Sequence, residues 1–114
     1  MTRGYPRRLL RLENVQVADG AGGMVEEWQV RGAVWGNVMA RSGGLRAGEF
    51  GRTPRLAVRI RIPGLPDGHP IRPTVGQRLR DGTRLYDVEA VHEADPLGRE
   101  LTILASVVPS EEAA

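Results

Sequence analysis

The sequence predicts an all-β fold, a small antiparallel β-barrel or sandwich of six to seven strands. Three observations lead there. Short runs alternate between apolar and polar residues, most clearly Leu56, Val58, Ile60 and Ile62 against Ala57, Arg59 and Arg61. Clusters of Gly, Pro and Asp at 19–23, 63–70, 81–82 and 95–98 punctuate these runs. Almost nothing in the chain carries the 3.6-residue period of a helix.

Taken in order, residues 1–8 form a polar, basic arm containing Pro6. Leu10, Leu12, Val15 and Val17 nearly alternate, which gives a first strand with a bulge expected near Asn14. Asp19-Gly-Ala-Gly-Gly23 is a turn cluster. Met24 to Val30 returns as a second strand, so the first two pair as a hairpin. Gly32 is expected to break or kink the run before a third strand over Ala33 to Ala40. That strand is apolar on both faces: Val34, Gly36, Val38 and Ala40 on one, Trp35, Asn37 and Met39 on the other. Such a strand is expected to be covered twice, by the core and by something else.

A long Gly-rich loop follows, from Ser42 to Arg55, between the third and fourth strands. Loops beyond about 12–15 residues without structure of their own are uncommon and usually functional or disordered. This one carries Arg46, Arg52 and Arg55 with a lone acid, Glu49. The fourth strand is Leu56 to Ile62. Four prolines between Pro63 and Pro73 forbid a helix and predict an extended, stiff connection. Val75 to Arg80 is a short strand ending at Asp81-Gly82, a hairpin turn. Thr83 to Glu93, the turn Asp95-Pro-Leu-Gly98 and a last strand over Glu100 to Val108 complete the body. In that last strand Leu101, Ile103, Ala105 and Val107 share one face. Pro109 to Ala114 is a short acidic tail.

At 114 residues the chain reads as a single domain over 1–114. Only 4% of residues are aromatic, so Val, Leu and Ile must supply most of the packing, and neighbouring subunits are expected to add to a thin core. The net charge of +2 is too small to hold nucleic acid by bulk attraction alone. All 16 basic residues are Arg. Arg pairs bidentately with carboxylates and phosphates, although a GC-rich, Arg-favouring genome is the simpler account of the bias. With no Cys, disulfides, thiolate catalysis and Cys-based metal sites are excluded. No apolar run approaches the length needed to span a bilayer, and no signal-peptide core follows the first basic residues. The expected setting is a cytoplasm, or a particle assembled there.

The residues offer little for catalysis. His92-Glu93-Ala-Asp95 has ligand residue types but no second nearby His. Ser42, Ser106 and Ser110 lie in no nucleophile motif, and the Gly pairs precede no helix. No catalytic, cofactor or metal site is therefore expected, and the chain reads as a non-enzyme. The candidates for recognition are four large or charged groups. Trp28 and Trp35 are either core anchors or interface hot spots. Arg59 and Arg61 are either solvated, or paired with an acid such as Glu89, or they face a partner or DNA.

The ordered series of motifs resembles the head–tail joining proteins of tailed phages and gene transfer agents, the stopper or head-completion proteins. It comprises Arg8-Leu9-Leu10, Asp19-Gly-Ala-Gly-Gly23, Glu27-Trp28 and Val34-Trp35-Gly36-Asn37-Val38, then Gly48-Glu49 and Val58-Arg59-Ile60-Arg61, then Gly76-Gln-Arg78-Leu79 and Tyr86-Asp-Val88. Two features depart from the family pattern: Gly36 stands where Ala is usual, and the Pro63 to Pro73 segment is long. The resemblance implies a β-barrel subunit in a ring of about twelve copies, closed by a head-to-tail interface. An adaptor protein would lie above it and a tail terminator or other tail protein below. Double-stranded DNA would pass through, contacted without regard to sequence. Arg46, Glu49, Arg52 and Arg55 would then face the channel, and Trp28, Trp35, Arg59 and Arg61 would meet subunits or partners. The implied location is the head–tail junction of a virion or phage-like particle. Two other readings remain: an adaptor or tail-terminator ring component, and a nucleic-acid-binding barrel. An adaptor would be mainly helical, and a nucleic-acid barrel needs aromatic stacking platforms.

Overall fold

The alternating runs place one row of apolar side chains along each strand, and a sheet built from such strands buries that row by closing on itself. The computed structural model describes the backbone of residues 7–20, 23–46 and 55–109 and the side chains of 7–16, 26–41 and 55–109. Six strands are present: β1 (Arg8–Gly20), β2 (Gly23–Arg46), β3 (Arg55–Pro63), β4 (Arg78–Asp81), β5 (Arg84–Glu93) and β6 (Glu100–Val107). They close into an antiparallel barrel in the order β1-β2-β3-β6-β5-β4. The basic arm up to Pro6 and the tail from Ser110 lie outside the described residues.

The interior follows the sequence pattern. Val58, Ile60 and Ile62 of β3 face Ala105, Ile103 and Leu101 of β6 in register, and all six are buried. Leu10, Leu12, Val34, Leu79, Tyr86 and Val88 complete the core cluster. Tyr86, at 1% exposure, is the largest side chain among them and the aromatic that anchors the core. Each fully buried Leu, Ile or Val side chain contributes about 1.5–3 kcal/mol relative to exposure.

Four boundaries differ from the sequence reading. The expected second and third strands are one continuous strand, β2. Gly32 does not break it; the register steps from Leu12↔Gly32 to Glu13↔Val30, which leaves Arg31 as a bulge residue in β2 and none near Asn14 in β1. A bulge lets a strand change phase without ending, so the interruption in the pattern is not an interruption in the ladder. The long loop is also shorter than expected. Ser42 to Arg46 belong to β2, with Leu45↔Leu56 and Arg46↔Arg55 paired beyond an irregular step after Ala40. Only 47–54, which contain Glu49 and Arg52, separate the two strands, and they lie outside the described residues.

β4 starts at Arg78, not Val75, and the two turn residues before β5 are Gly82 and Thr83, closed by Asp81↔Arg84. The Pro-rich connection is a succession of turns, not an extended rod: His69 N–H donates to the Pro66 carbonyl and Arg72 N–H to that of His69. It must carry the chain between β3 and β4, which stand on opposite sides of the barrel with two strands between them either way. On the way it packs Leu65 and Ile71 against the core cluster and buries Pro73.

Candidate interaction surfaces

With the interior filled by apolar side chains, chemistry is confined to the outside of the barrel. Two regions there gather the residues that the sequence singled out.

The first is an open groove of about 640 Å³ between the base of the β1–β2 hairpin and β5, with Trp28, Arg55, Arg78, Asp87 and Glu89 in its walls. Cross-strand pairing sets Arg78 directly opposite Asp87. The Asp87 carboxylate accepts from Arg78 Nε at 3.1 Å on one oxygen and from Arg55 Nη1 at 2.6 Å on the other. The Arg78 guanidinium also lies over the Trp28 ring, 4.0 Å from its centre, a cation–π contact. Trp28, Arg78, Asp87 and Arg55 thus form one chain of contacts linking β2, β4, β5 and β3. Beside them Glu89, the bulge residue of β5, accepts from Arg41 Nη2 at 3.2 Å. The same Nη2 donates to the Ala105 carbonyl at 3.2 Å.

This arrangement corrects two expectations. Arg55 is not a free loop cation: it begins β3 and grips Asp87 of its own chain. Glu89 is bonded by Arg41; among the described residues no ion pair joins it to Arg59 or Arg61.

The second region lies on the outer face of β1, β2 and β3. Leu9 stands directly opposite Trp35, and both are about half exposed, at 50% and 53%. Asn37 pairs with Arg61, and Met39 with Arg59. Arg7, Trp35, Arg61 and Arg99 line a common shallow depression of about 130 Å³. Neither Arg59 nor Arg61 makes an ion pair among the described residues. An aromatic–aliphatic centre with guanidinium groups at its rim has the composition of a protein interface core.

Neither Trp is therefore a core anchor. Both lie outside the barrel, Trp28 half-buried under Arg78 and Trp35 open. Sequence reasoning missed Arg78 and Asp87, which hold the first region together, and Leu9, which completes the second. Only the true turn at Gly82-Thr83 makes Arg78 and Asp87 equidistant from it; the expected turn at Asp81-Gly82 would have set Arg78 opposite Leu85. Elsewhere, Arg99 N–H and Nε each donate at 2.8 Å to Asp95 in the β5–β6 turn. The Arg99 side chain holds the Asp95 carboxyl below its usual 3.8. Among the described residues no group of three or more acids and His converges as a metal site.

Comparison with known proteins agrees with the geometry. A solved chain from the virion of a native gene transfer agent particle is 42% identical, with 89% of this chain and 94% of that one aligned and a TM-score of 0.73. The solution structure of protein SF1141 from Shigella flexneri 2a shares the fold at 19% identity, over 93% and 96% of the two chains, with a TM-score of 0.64. A search of curated proteins returned no match. The model of the phage head completion protein family matches residues 1–108, nearly the whole chain, and the protein belongs to that family.

Proposed function

We propose that this protein is a structural head–tail connector subunit of the stopper type, built into a tailed-phage or gene-transfer-agent particle. The observation that carries the reading is the 42% identity, across almost all of both chains, to a component of a gene transfer agent virion. Copies of the barrel close into a ring of about twelve around the DNA path, each using one patch to meet a complementary patch on the next. The ring retains packaged DNA, with an adaptor above and a tail terminator or tail protein below. The Leu9–Trp35 face with Arg61 is one such patch, since half-exposed apolar groups rimmed by Arg gain most when a partner excludes water from them. Residues 47–54, with Glu49 and Arg52, form the segment presented to the channel together with Arg46 at the end of β2. Among the described residues there is no helix, which favours this role over that of a helical adaptor. With Trp28 committed to Arg78, the described residues offer no row of aromatic platforms for single strands.

Trp35→Ala tests the patch. Trp35 adds little to the barrel core, so the free subunit should keep its stability within about 0.5 kcal/mol. Binding to its neighbour should weaken by about 2 kcal/mol, roughly thirtyfold. Urea denaturation reads the first quantity, and incorporation into particles, followed by electron microscopy of the head–tail junction, reads the second. Particles that take up the variant at wild-type levels would remove Trp35 from the interface.

A further inference from the structure

The barrel is closed, yet the β1–β2 hairpin outruns it on both sides. β4 pairs with β1 only over Arg11–Glu13, so no strand among the described residues pairs with β1 from Asn14 to Gly20 on that side. β3 pairs with β2 only from Asn37 onward, so β2 from Gly23 to Gly36 likewise has no strand on its outer side. The result is a two-stranded ribbon, 14–20 against 23–30, with two open edges. Open edges carry rows of backbone N–H and C=O groups that template pairing with another strand. Folded proteins usually blunt such edges with Pro, with charged side chains (Lys above all), or with brevity. Residues 14–20 and 23–30 contain no Pro and no basic residue, and their charges are the three acids Asp19, Glu26 and Glu27.

We propose that the ribbon pairs edge to edge with the ribbon of a second copy of this chain, β2 of one subunit against β1 of the next. The two edges are of similar length and belong to the same arm, so each copy supplies both halves of a head-to-tail contact that a rotation repeats. With the ring axis taken to run along the ribbon's strands, rotation keeps every residue at its own height. The register between copies therefore repeats the register within one copy, and the pairing is antiparallel. Glu27 of one copy comes opposite Gln16 of the next, Trp28 opposite Val15, and Gln29 opposite Asn14. Asp19 comes opposite Met24, and Glu26 opposite Val17, so no two acids of the ribbon meet directly. This contact deepens the ring reading given above, which supplies the rotational symmetry.

The chain has no Cys, which makes an unambiguous cross-link available. Gln16 and Glu27 are both exposed, so Gln16→Cys and Glu27→Cys are tolerated by the fold. Directly opposed residues on antiparallel strands have Cα atoms about 4.5–5.5 Å apart, within reach of a disulfide. The two single variants are mixed, in particles and as concentrated soluble subunit, and then oxidised. A disulfide-linked dimer from the mixture, and much less from either variant alone, is the expected result. Hydrogen exchange of the unaltered protein should show protection over 14–20 and 23–30 that rises with assembly. Failure of the chain to enter particles would count against the ring reading, while a dimer band from concentrated subunit would still support edge pairing. Particles that incorporate both variants without forming the dimer overturn edge pairing and leave the connector role standing. No dimer in either sample overturns it outright.

Discussion

Glu13 is the one buried carboxylate among the described residues, at 5% exposure. Burial of an ionised carboxylate is costly unless its oxygens are bonded, and here Arg80 does the bonding, Nε at 2.7 Å to one oxygen and Nη2 at 3.5 Å to the other. Removal of a partner from a buried pair costs more than the pair itself contributes, because the remaining charge stays desolvated. The Arg80 side chain is 34% exposed, so solvent softens the penalty. Arg80→Ala is therefore expected to lose about 2 kcal/mol in urea denaturation. Arg80→Met combined with Glu13→Gln should recover most of that loss, since neither residue then carries charge. The Arg8–Asp81 pair, with Arg8 55% exposed, is of the weaker class, and its removal should change stability by less than about 1 kcal/mol.

At the scale of elements, the close approach of the β3 exit to the β5–β6 turn depends on a missing side chain. Gly64 N–H donates to the Arg99 carbonyl at 2.8 Å, and a Cβ on Gly64 would lie 1.9 Å from the Gly98 carbonyl oxygen. Backbone cannot give way as a flexible side chain can. Gly64→Ala should destabilise the barrel by roughly 3 kcal/mol or more, read as a lowered denaturation midpoint; an unchanged midpoint would mean that the two segments are not in contact.

Nothing in the sequence announced that approach, because it joins segments more than thirty residues apart. The legible parts were local. Strict alternation revealed β3, β6 and the inward set Leu101, Ile103, Ala105 and Val107, because a period of two fixes which residues share a face. The union of the expected second and third strands was hidden because the Arg31 bulge shifts the phase of the pattern in a strand that never leaves its partner. The outward placement of both Trp residues was hidden for a different reason. A strand apolar on both faces says that each side wants cover, not which side the rest of the chain provides. For the recognition surfaces, the large residues Trp28 and Trp35 were visible. Their partners Arg78, Asp87 and Leu9 required knowledge of the cross-strand register.

For the molecule as a whole, the closing pair Arg46↔Arg55 separates a wall from whatever the wall presents. Arg46 and Arg55 are paired in the ladder, and Arg55 is tied down to Asp87, so the proposed channel-facing role rests on 47–54 with Arg46 at their edge. Replacement of those eight residues by Asn-Gly would join two opposed residues with a hairpin turn of the favoured length. The shorter connection costs less entropy to close, by about 1 kcal/mol, so the barrel should fold at least as well as the native chain. Assembly through the Trp35 face and the ribbon edges should be unaffected, since neither includes the deleted residues. If 47–54 hold DNA behind the ring, the variant should enter particles normally, and those particles should leak packaged DNA or fail to join tails. Quantitation of nuclease-protected DNA per particle separates that outcome from an assembly defect. Particles that stay filled and active in delivery would confine the protein to a structural wall, with retention of DNA assigned to a neighbouring component.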